Sequence, residues 1–409
     1  MMFHPPGSRL GERGRSPLAM MFCKTLSGFG LLPWGVNPGC ARRPRALLCN
    51  RFAVRTIAAS ELHPGLRVLM LLLAFSTPCS TVLGAEPGLG RFEFTQVEMA
   101  VAIRIVLYAS DEAEAKQAAD AAFARIHKLN GIMSDYDPQS ELMRLCARSK
   151  PGNPAAASGD LWRVLSHAQR VAEQSDGAFD VTVGPVVRLW RRARRQHELP
   201  SPERLAEARK LVGYRLVHLI PEGHRVELLK PGMILDLGGI AKGDACDQAL
   251  AVLDSRGLGR AMIEAGGDVV LGDPPPGKPG WIVGVCSPTT DSPPTRYLAL
   301  SRVAVDTSGD AFQYLQLGGR RYSHIVDPRT GMGLTDGSKV TVVAPNGLTG
   351  DPLTKVVAVL GPQRGLKLID ETPRAAAWLL RATEGKVETF ESSHWKGLPT
   401  FSPGSRPVK

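Results

Sequence analysis

The stretch from Ile234 to Leu250, ILDLGGIAKGDACDQAL, runs from apolar residues through paired glycines into a helical pattern. A turn of this kind points free backbone N–H groups and the positive end of a helix dipole at one spot, which favours phosphate. Lys242 adds a full charge there. The spacing is neither a Walker loop nor a dinucleotide fingerprint. From the residues alone, a phosphate cradle and a tight packing turn remain equally open.

Three further segments hold polar groups beside glycines. In EAGGDVVLG, Gly266 and Gly267 precede Asp268; a bulge or close backbone approach explains such a pair without any ligand. In DTSGDAFQY, Thr307 and Ser308 could bond phosphate or cap a turn. In RYSHIVDPRTG, His324 stands on an expected strand before a turn at Asp327-Pro328. A single strand histidine serves structure as readily as proton transfer.

The elements that must position these groups follow from periodicity. Alternation of Val101, Ile103 and Ile105 predicts a strand over Glu93–Tyr108. Ala115, Ala118, Ala122, Ile126 and Leu129 predict a helix from Asp111 to about Gly131. Short helices are expected at Ser140–Arg148, Leu161–Gln174 and Pro202–Val212, with Gly177 as a C′ glycine. Met233–Leu237 reads as a buried strand feeding a helix over Ile240–Arg256. Strands are expected at Arg260–Leu271, Trp281–Cys286 and Lys339–Ala344, a hairpin over Tyr314–Asp327, and a helix over Pro352–Leu360. Strands and helices without regular βαβ alternation predict an α+β fold.

Composition narrows the function classes. The chain has 43 Gly and 32 Pro in 409 residues, which suits a loop-rich fold and not a helical bundle. Its net charge of +11 is concentrated at one end: residues 1–67 hold 10 Lys/Arg and 2 Asp/Glu, leaving 40 against 37 in the remainder. No aromatic-interleaved basic patch accompanies that charge, so nucleic acid is not an expected partner. Of the seven cysteines, only Cys146, Cys246 and Cys286 follow residue 85, with no CxxC and no metal-type spacing. They read as buried thiols.

Val68–Phe75, VLMLLLAF, follows Arg67 and precedes small and polar residues. It is far shorter than the roughly 20 residues that span a bilayer. The order is that of a secretory signal peptide over residues 67–85, cleaved after Gly84 or Ala85. Export to the periplasm or cell envelope is therefore expected. Peripheral membrane association is compatible with it, and Pro78 makes Cys79 a poor acylation site. Residues 1–66, rich in Arg, Gly and Pro, read as disordered or as lying upstream of the true start. The body is expected over 90–390, with a loose tail at 391–409 from which Trp395 could pack back.

Taken together, MSDYDPQSEL, GAFDVTVGP, LDLGGIAKG, GGD, TSGD, HIVDPRTG and GDPLTKVVAVLG resemble, in this order, the ApbE-type FAD:protein FMN transferases. The resemblance runs from about Gln96 to Gly361. It implies an α+β flavin transferase fold related to the T-fold. It also implies FAD as substrate, Mg²⁺ at its pyrophosphate, and transfer of FMN to a Thr or Ser hydroxyl of a flavin-acceptor protein, such as a respiratory or redox subunit, with release of AMP. On that resemblance Met99, Tyr136, Ala178, Phe179 and Asp180 contact the nucleotide, together with Gly238, Gly267, Thr307, Ser308 and Ile325. Lys242 lies near phosphate, Asp247 is a recurrent carboxylate, and His324 deprotonates the acceptor hydroxyl. Ala241, through its carbonyl, and Asp351 would ligate Mg²⁺. The family pattern places Thr four residues after that Asp; here the position is Lys355, which leaves Thr354 as the substitute ligand or the Lys355 ammonium as a source of positive charge. Ala100 stands for a usual Gly, and Gly350 for a usual Ala. Two other readings stay open: an FAD-binding protein without transferase activity, and an FAD pyrophosphatase.

Overall fold

The computed structural model describes residues 88–287, 292–309, 314–383 and 386–402. The signal-type segment, Cys79 and the expected cleavage sites lie outside the described residues.

An eight-stranded antiparallel sheet organises the chain. Its strands are β1 (Gly90–Glu98), β2 (Val101–Ala109), β3 (Ala261–Ala265), β4 (Asp268–Leu271), β5 (Val303–Gly309), β6 (Lys339–Ala344), β7 (Ala376–Thr383) and β8 (Lys386–Glu391). Sequential strands are spatial neighbours throughout. The connections carry the helices: α1 (Glu112–Met133), α2 (Glu141–Arg148), α3 (Gly159–Gln174), α4 (Gly184–Gln196), α5 (Pro202–Arg209) and α6 (Ala241–Ser255) fall between β2 and β3. The last helix, α7 (Gly347–Glu371), falls between β6 and β7.

Alternation along the strands separates two cores. Ile103, Ile105 and Leu107 of β2 and Ile263 of β3 pack with the alanine face of α1 and with Ala245 and Cys246 of α6. Val106, Val305, Val343 and Trp378 point the other way, onto Trp281, Leu298 and Trp395. Small residues at Ala115, Ala118, Ala119 and Ala122, all at most 1% exposed, let α1 lie close to its neighbours. Asp111, Ser140, Ser158, Ser201 and Asn346 cap their helices through side-chain oxygens.

The α+β expectation holds, and several boundaries shift. The single strand expected over Glu93–Tyr108 is a hairpin, β1–β2, turning at Met99 and Ala100 with φ of 51° and 62°. Neither residue is Gly or Asn, so the turn carried no composition signal. Arg260–Leu271 is likewise split, by Gly266 and Gly267 at φ 58° and 104°. Met233–Leu237 is largely buried but joins no ladder; it runs as irregular backbone, with the Asp236 N–H donating to the Val181 carbonyl at 2.7 Å. Helix α3 ends one residue earlier than the glycine signal implied. Asp176 takes the left-handed C′ position at φ 51°, and Gly177 follows as C″, donating to the Ala172 carbonyl. The hairpin around Gly318-Gly319 forms, but its second strand stops at Ser323, so His324 sits at a bend and not on a strand. α7 begins at Gly347 and breaks at Gly361 (φ 74°), after which Pro362 opens a second segment. The part of the tail up to residue 402 is held to the body: Trp395 is fully buried, and the Phe401 N–H donates to the Tyr297 carbonyl.

Candidate active site

The glycine turns, the end of β5 and the N-terminal ends of α6 and α7 converge at one end of the sheet. One close backbone approach sets this meeting. A Cβ on Gly243 would lie 2.2 Å from the Gly347 carbonyl oxygen, and one on Gly347 would lie 2.5 Å from the Gly243 carbonyl oxygen. Only two glycines let α6 and α7 touch there. The Asp247 carboxylate, one turn further along α6, accepts from the Gly347 and Leu348 N–H groups at 2.8 Å each. It thus caps the start of α7 and aligns Asp351. Burial pushes the Asp247 carboxyl up to about 7.

The charges brought together are two lysines and three carboxylates. Lys242 Nζ bonds Asp268 Oδ2 and lies 3.8 Å from Asp351 Oδ2. Lys355 Nζ bonds Asp351 Oδ1 and donates to the Asp351 carbonyl at 3.1 Å. The Gly243 N–H donates to Asp351 Oδ2 at 3.3 Å. Burial works to raise the Asp351 carboxyl, but Lys242 and Lys355 hold it below the usual carboxylate range. Burial would release the Lys242 proton, yet Asp268 and Asp351 hold it on more firmly than usual.

Asp306 was not among the residues singled out from sequence. It pairs with Asp268 across β4 and β5 and is 0% exposed. Neither carboxyl oxygen has a hydrogen-bond partner among the described residues. Burial first, then Asp268 and Asp351, drive its carboxyl well above the usual range. A Cβ at position 350 would lie 1.9 Å from Asp306 Oδ2, so Gly350 is what admits this side chain. The exchange of Ala for Gly, which from sequence mattered little, is therefore sterically coupled to Asp306.

The other expected residues lie at differing distances from this cluster. Ser308 and Thr354 join the cluster, with hydroxyl oxygens 2.8 Å apart; Thr307 instead meets Thr341 at 3.1 Å. Gly267 abuts β5, since the Thr307 N–H donates to its carbonyl at 3.0 Å. Phe179 belongs here too: a Cβ on Gly239 would be 3.2 Å from its ring and 3.6 Å from Lys355 Cε. Ala178 is buried beside it in sequence. Asp180 does not face the cluster's charges; its Oδ1 accepts from the Thr182 N–H and hydroxyl, a local cap. Met99 is half-buried at the β1–β2 turn, near the second glycine pair through Val101, which a Cβ on Gly266 would meet at 3.1 Å. Ile325 anchors its neighbour His324 by packing with Leu353 and Val357 of α7.

Tyr136 stands in a second constellation. The residue is 74% exposed, and its ring carries the Arg191 guanidinium 4.2 Å from its centre. Arg191 also bonds Asp135 and, at 2.9 Å, Asp236. One guanidinium therefore ties the SDYD loop to the segment entering the glycine turn, where Asp236 Oδ1 accepts from the Gly238 N–H at 2.8 Å. Arg191 lies on α4, a helix missing from the sequence reading. Its signal was present: Val186, Trp190 and Ala193 recur at helical spacing and are buried, inside a run of arginines. Trp190 donates to the Gly331 carbonyl at 2.8 Å and so fixes the DPRTG turn after His324.

The residues assigned to Mg²⁺ by resemblance do not fit it as arranged. Mg²⁺ takes oxygen ligands at about 2.1 Å. One Asp351 oxygen is occupied by the Lys355 ammonium; the other accepts from Gly243 and faces Lys242. The Thr354 hydroxyl lies 2.7 Å from the Asp351 carbonyl oxygen and is shared with Ser308. Ala241 is buried at the first helical position of α6. Among the described residues no three of His, Cys, Asp and Glu converge as a metal group. A cation entering at Asp351 would first have to displace an ammonium.

Residues 98–379 match the model of the ApbE family. The chain is 33% identical over 283 residues to a protein of Haemophilus influenzae named FAD:protein FMN transferase, covering 67% of this chain and 81% of that one. Its fold matches the flavin transferase ApbE of Vibrio cholerae with a TM-score of 0.67 at 26% identity, over 76% of this chain and 99% of the other. It also matches the ApbE protein of Thermotoga maritima, with a TM-score of 0.66 at 31% identity, over 75% and 98%.

Proposed function

The chain belongs to the ApbE family, and from that premise we propose that it is a FAD:protein FMN transferase acting outside the cytoplasm. The observation that carries the proposal is the meeting of Lys242, Lys355 and the N-terminal end of α6 at the Gly238-Gly239 turn. Such a site offers cations and backbone donors to a pyrophosphate.

In the proposed reaction the hydroxyl oxygen of an acceptor Thr or Ser attacks the phosphorus on the FMN side of FAD. The bond from that phosphorus to the bridging oxygen breaks, and AMP leaves with that oxygen. The hydroxyl proton passes to His324, as the resemblance implies. Lys242 offsets charge on the phosphate oxygens. Tyr136, on its guanidinium support, and Met99, Ala178 and Phe179 form the nucleotide's surroundings. No covalent enzyme intermediate is required. Support for export is the signal-type order around Val68–Phe75.

One observation favours a second reading. Because an ammonium occupies Asp351, a chain that binds FAD without transferring it is the alternative. Incubation with FAD and a flavin-acceptor protein, followed by a denaturing gel, separates the two. Covalent flavin fluorescence on the acceptor, lost in an acceptor lacking its target hydroxyl and reduced in His324→Asn, is expected. Bound FAD with no labelled acceptor would establish the alternative, and FMN plus AMP without acceptor would make it a pyrophosphatase.

A further inference from the structure

We propose that Lys355 is a tethered cation that takes, on Asp351, the place a divalent ion would hold, so that this chain binds FAD without divalent metal. The inference rests on the FAD-binding reading above and deepens it.

Three residues form a matched set. Lys355 puts its ammonium on Asp351 Oδ1 and on the Asp351 carbonyl at 3.1 Å. Its stem runs beside the glycine turn, within 3.6–3.8 Å of where a Gly239 Cβ would be. The side chain stays 16% exposed, so the charge is delivered to the rim of the turn and not sealed in the core. Asp306 is a buried carboxyl with no hydrogen-bond partner among the described residues, set against the same group of charges. Gly350 is the residue whose missing Cβ gives Asp306 its room. A surplus base, a surplus acid and the space for that acid thus occur together, between Gly350 and Lys355 of α7 and on the facing strand.

The chemistry of an ammonium suits the exchange. It is a compact point charge with three donors on a flexible stem, so it can turn from a carboxylate to a phosphate oxygen. Lys242, 22% exposed, offers a second such charge from the other side of Asp351. When a dianionic pyrophosphate arrives, two ammoniums can donate to its oxygens from either side of Asp351 without a metal. A divalent ion at Asp351 would meet both of them as like charges.

The test is FAD binding, followed by quenching of flavin fluorescence with the full-length chain in EDTA and then in MgCl₂. Affinity in the two conditions is expected to agree within about threefold, less than 1 kcal/mol. Lys355→Thr is expected to bind at least about tenfold more weakly in EDTA and to regain affinity with Mg²⁺, whereas Lys355→Met stays weak in both. Mn²⁺ in place of Mg²⁺, watched by its paramagnetic resonance, is expected to stay free with the natural chain and FAD, and to bind Lys355→Thr. Natural-chain affinity that falls about tenfold in EDTA and returns with Mg²⁺, or Mn²⁺ held by the natural chain, overturns the proposal. Those readings need no variant, so misfolding of Lys355→Thr does not shelter it. Absence of FAD binding in either condition overturns the transferase reading as well, and metal-dependent binding with labelled acceptor overturns this inference alone.

Discussion

Two charged constellations flank the glycine turn, and they are built from different cations. On the outer side Arg191 holds Asp135, Asp236 and the Tyr136 ring at once. On the inner side Lys242 and Lys355 hold Asp268 and Asp351, with Asp306 left over. A guanidinium is a planar fork whose several donors fix partners in place, while an ammonium is a point that can change partners. The outer constellation is therefore scaffolding, and the inner one is poised to trade a carboxylate for a phosphate.

The sharpest way to break this contrast is to remove the fork. Arg191→Met leaves two carboxylates, each under 10% exposed, without their cation. We expect a loss of about 3–5 kcal/mol in folding stability by denaturant titration. A transfer defect with unchanged stability would instead place Arg191 among the reacting groups. On the inner side the expectation reverses: Lys355→Met leaves Asp351 with Lys242 and the Gly243 N–H, and should lower acceptor labelling by about 10²–10³-fold. Its stability should change far less than that of Arg191→Met. Collapse of the fold on this substitution would erase the distinction between the two regions.

Asp247 ties the inner region to the start of α7, and its titration sharpens the comparison further. Its folded value of about 7 lies above the unfolded value of roughly 3.9. Between those values the folded chain keeps a proton that the unfolded chain has lost, so this group's contribution to stability falls as pH rises from about 4 to about 7. Asp247→Asn should gain stability relative to the natural chain over that window, and parallel pH–stability curves for the two would refute the assignment. The smallest expected effect lies at the hairpin tip. Ala100→Gly relieves a left-handed Ala at φ 62° and should add about 1 kcal/mol, read as a higher melting temperature.

Much of this arrangement was legible in the sequence, because helical and strand periodicity report burial. The residues of β2, α1, α6 and β6 announced themselves that way, and the motifs that carry the family resemblance include Lys242, Ser308, Asp351 and Thr354. What stayed hidden depended on contacts between distant segments. Asp306 follows three apolar residues and precedes Thr307, Ser308 and Gly309 in its strand, and nothing local marks it as partnerless or as the reason for Gly350. Helix α4 was masked by arginines that turn out to be its solvent and ion-pair face. The cap that Asp180 makes through Oδ1 was not legible either, since one carboxylate in a short loop satisfies its own backbone as readily as a substrate. The turn at Met99-Ala100 was invisible because its left-handed residues are not the types that usually mark one.

The touching glycines, Gly243 and Gly347, give the site a fixed gauge. With backbone against backbone there is no side chain between the helices to repack, so the span from Lys242 to Asp351 cannot drift when a neighbour is exchanged. Parts of the charge cluster can then be swapped, a lysine here and an aspartate there, inside a frame whose dimensions stay constant. A lineage could alter what meets the substrate without rebuilding the socket that presents it.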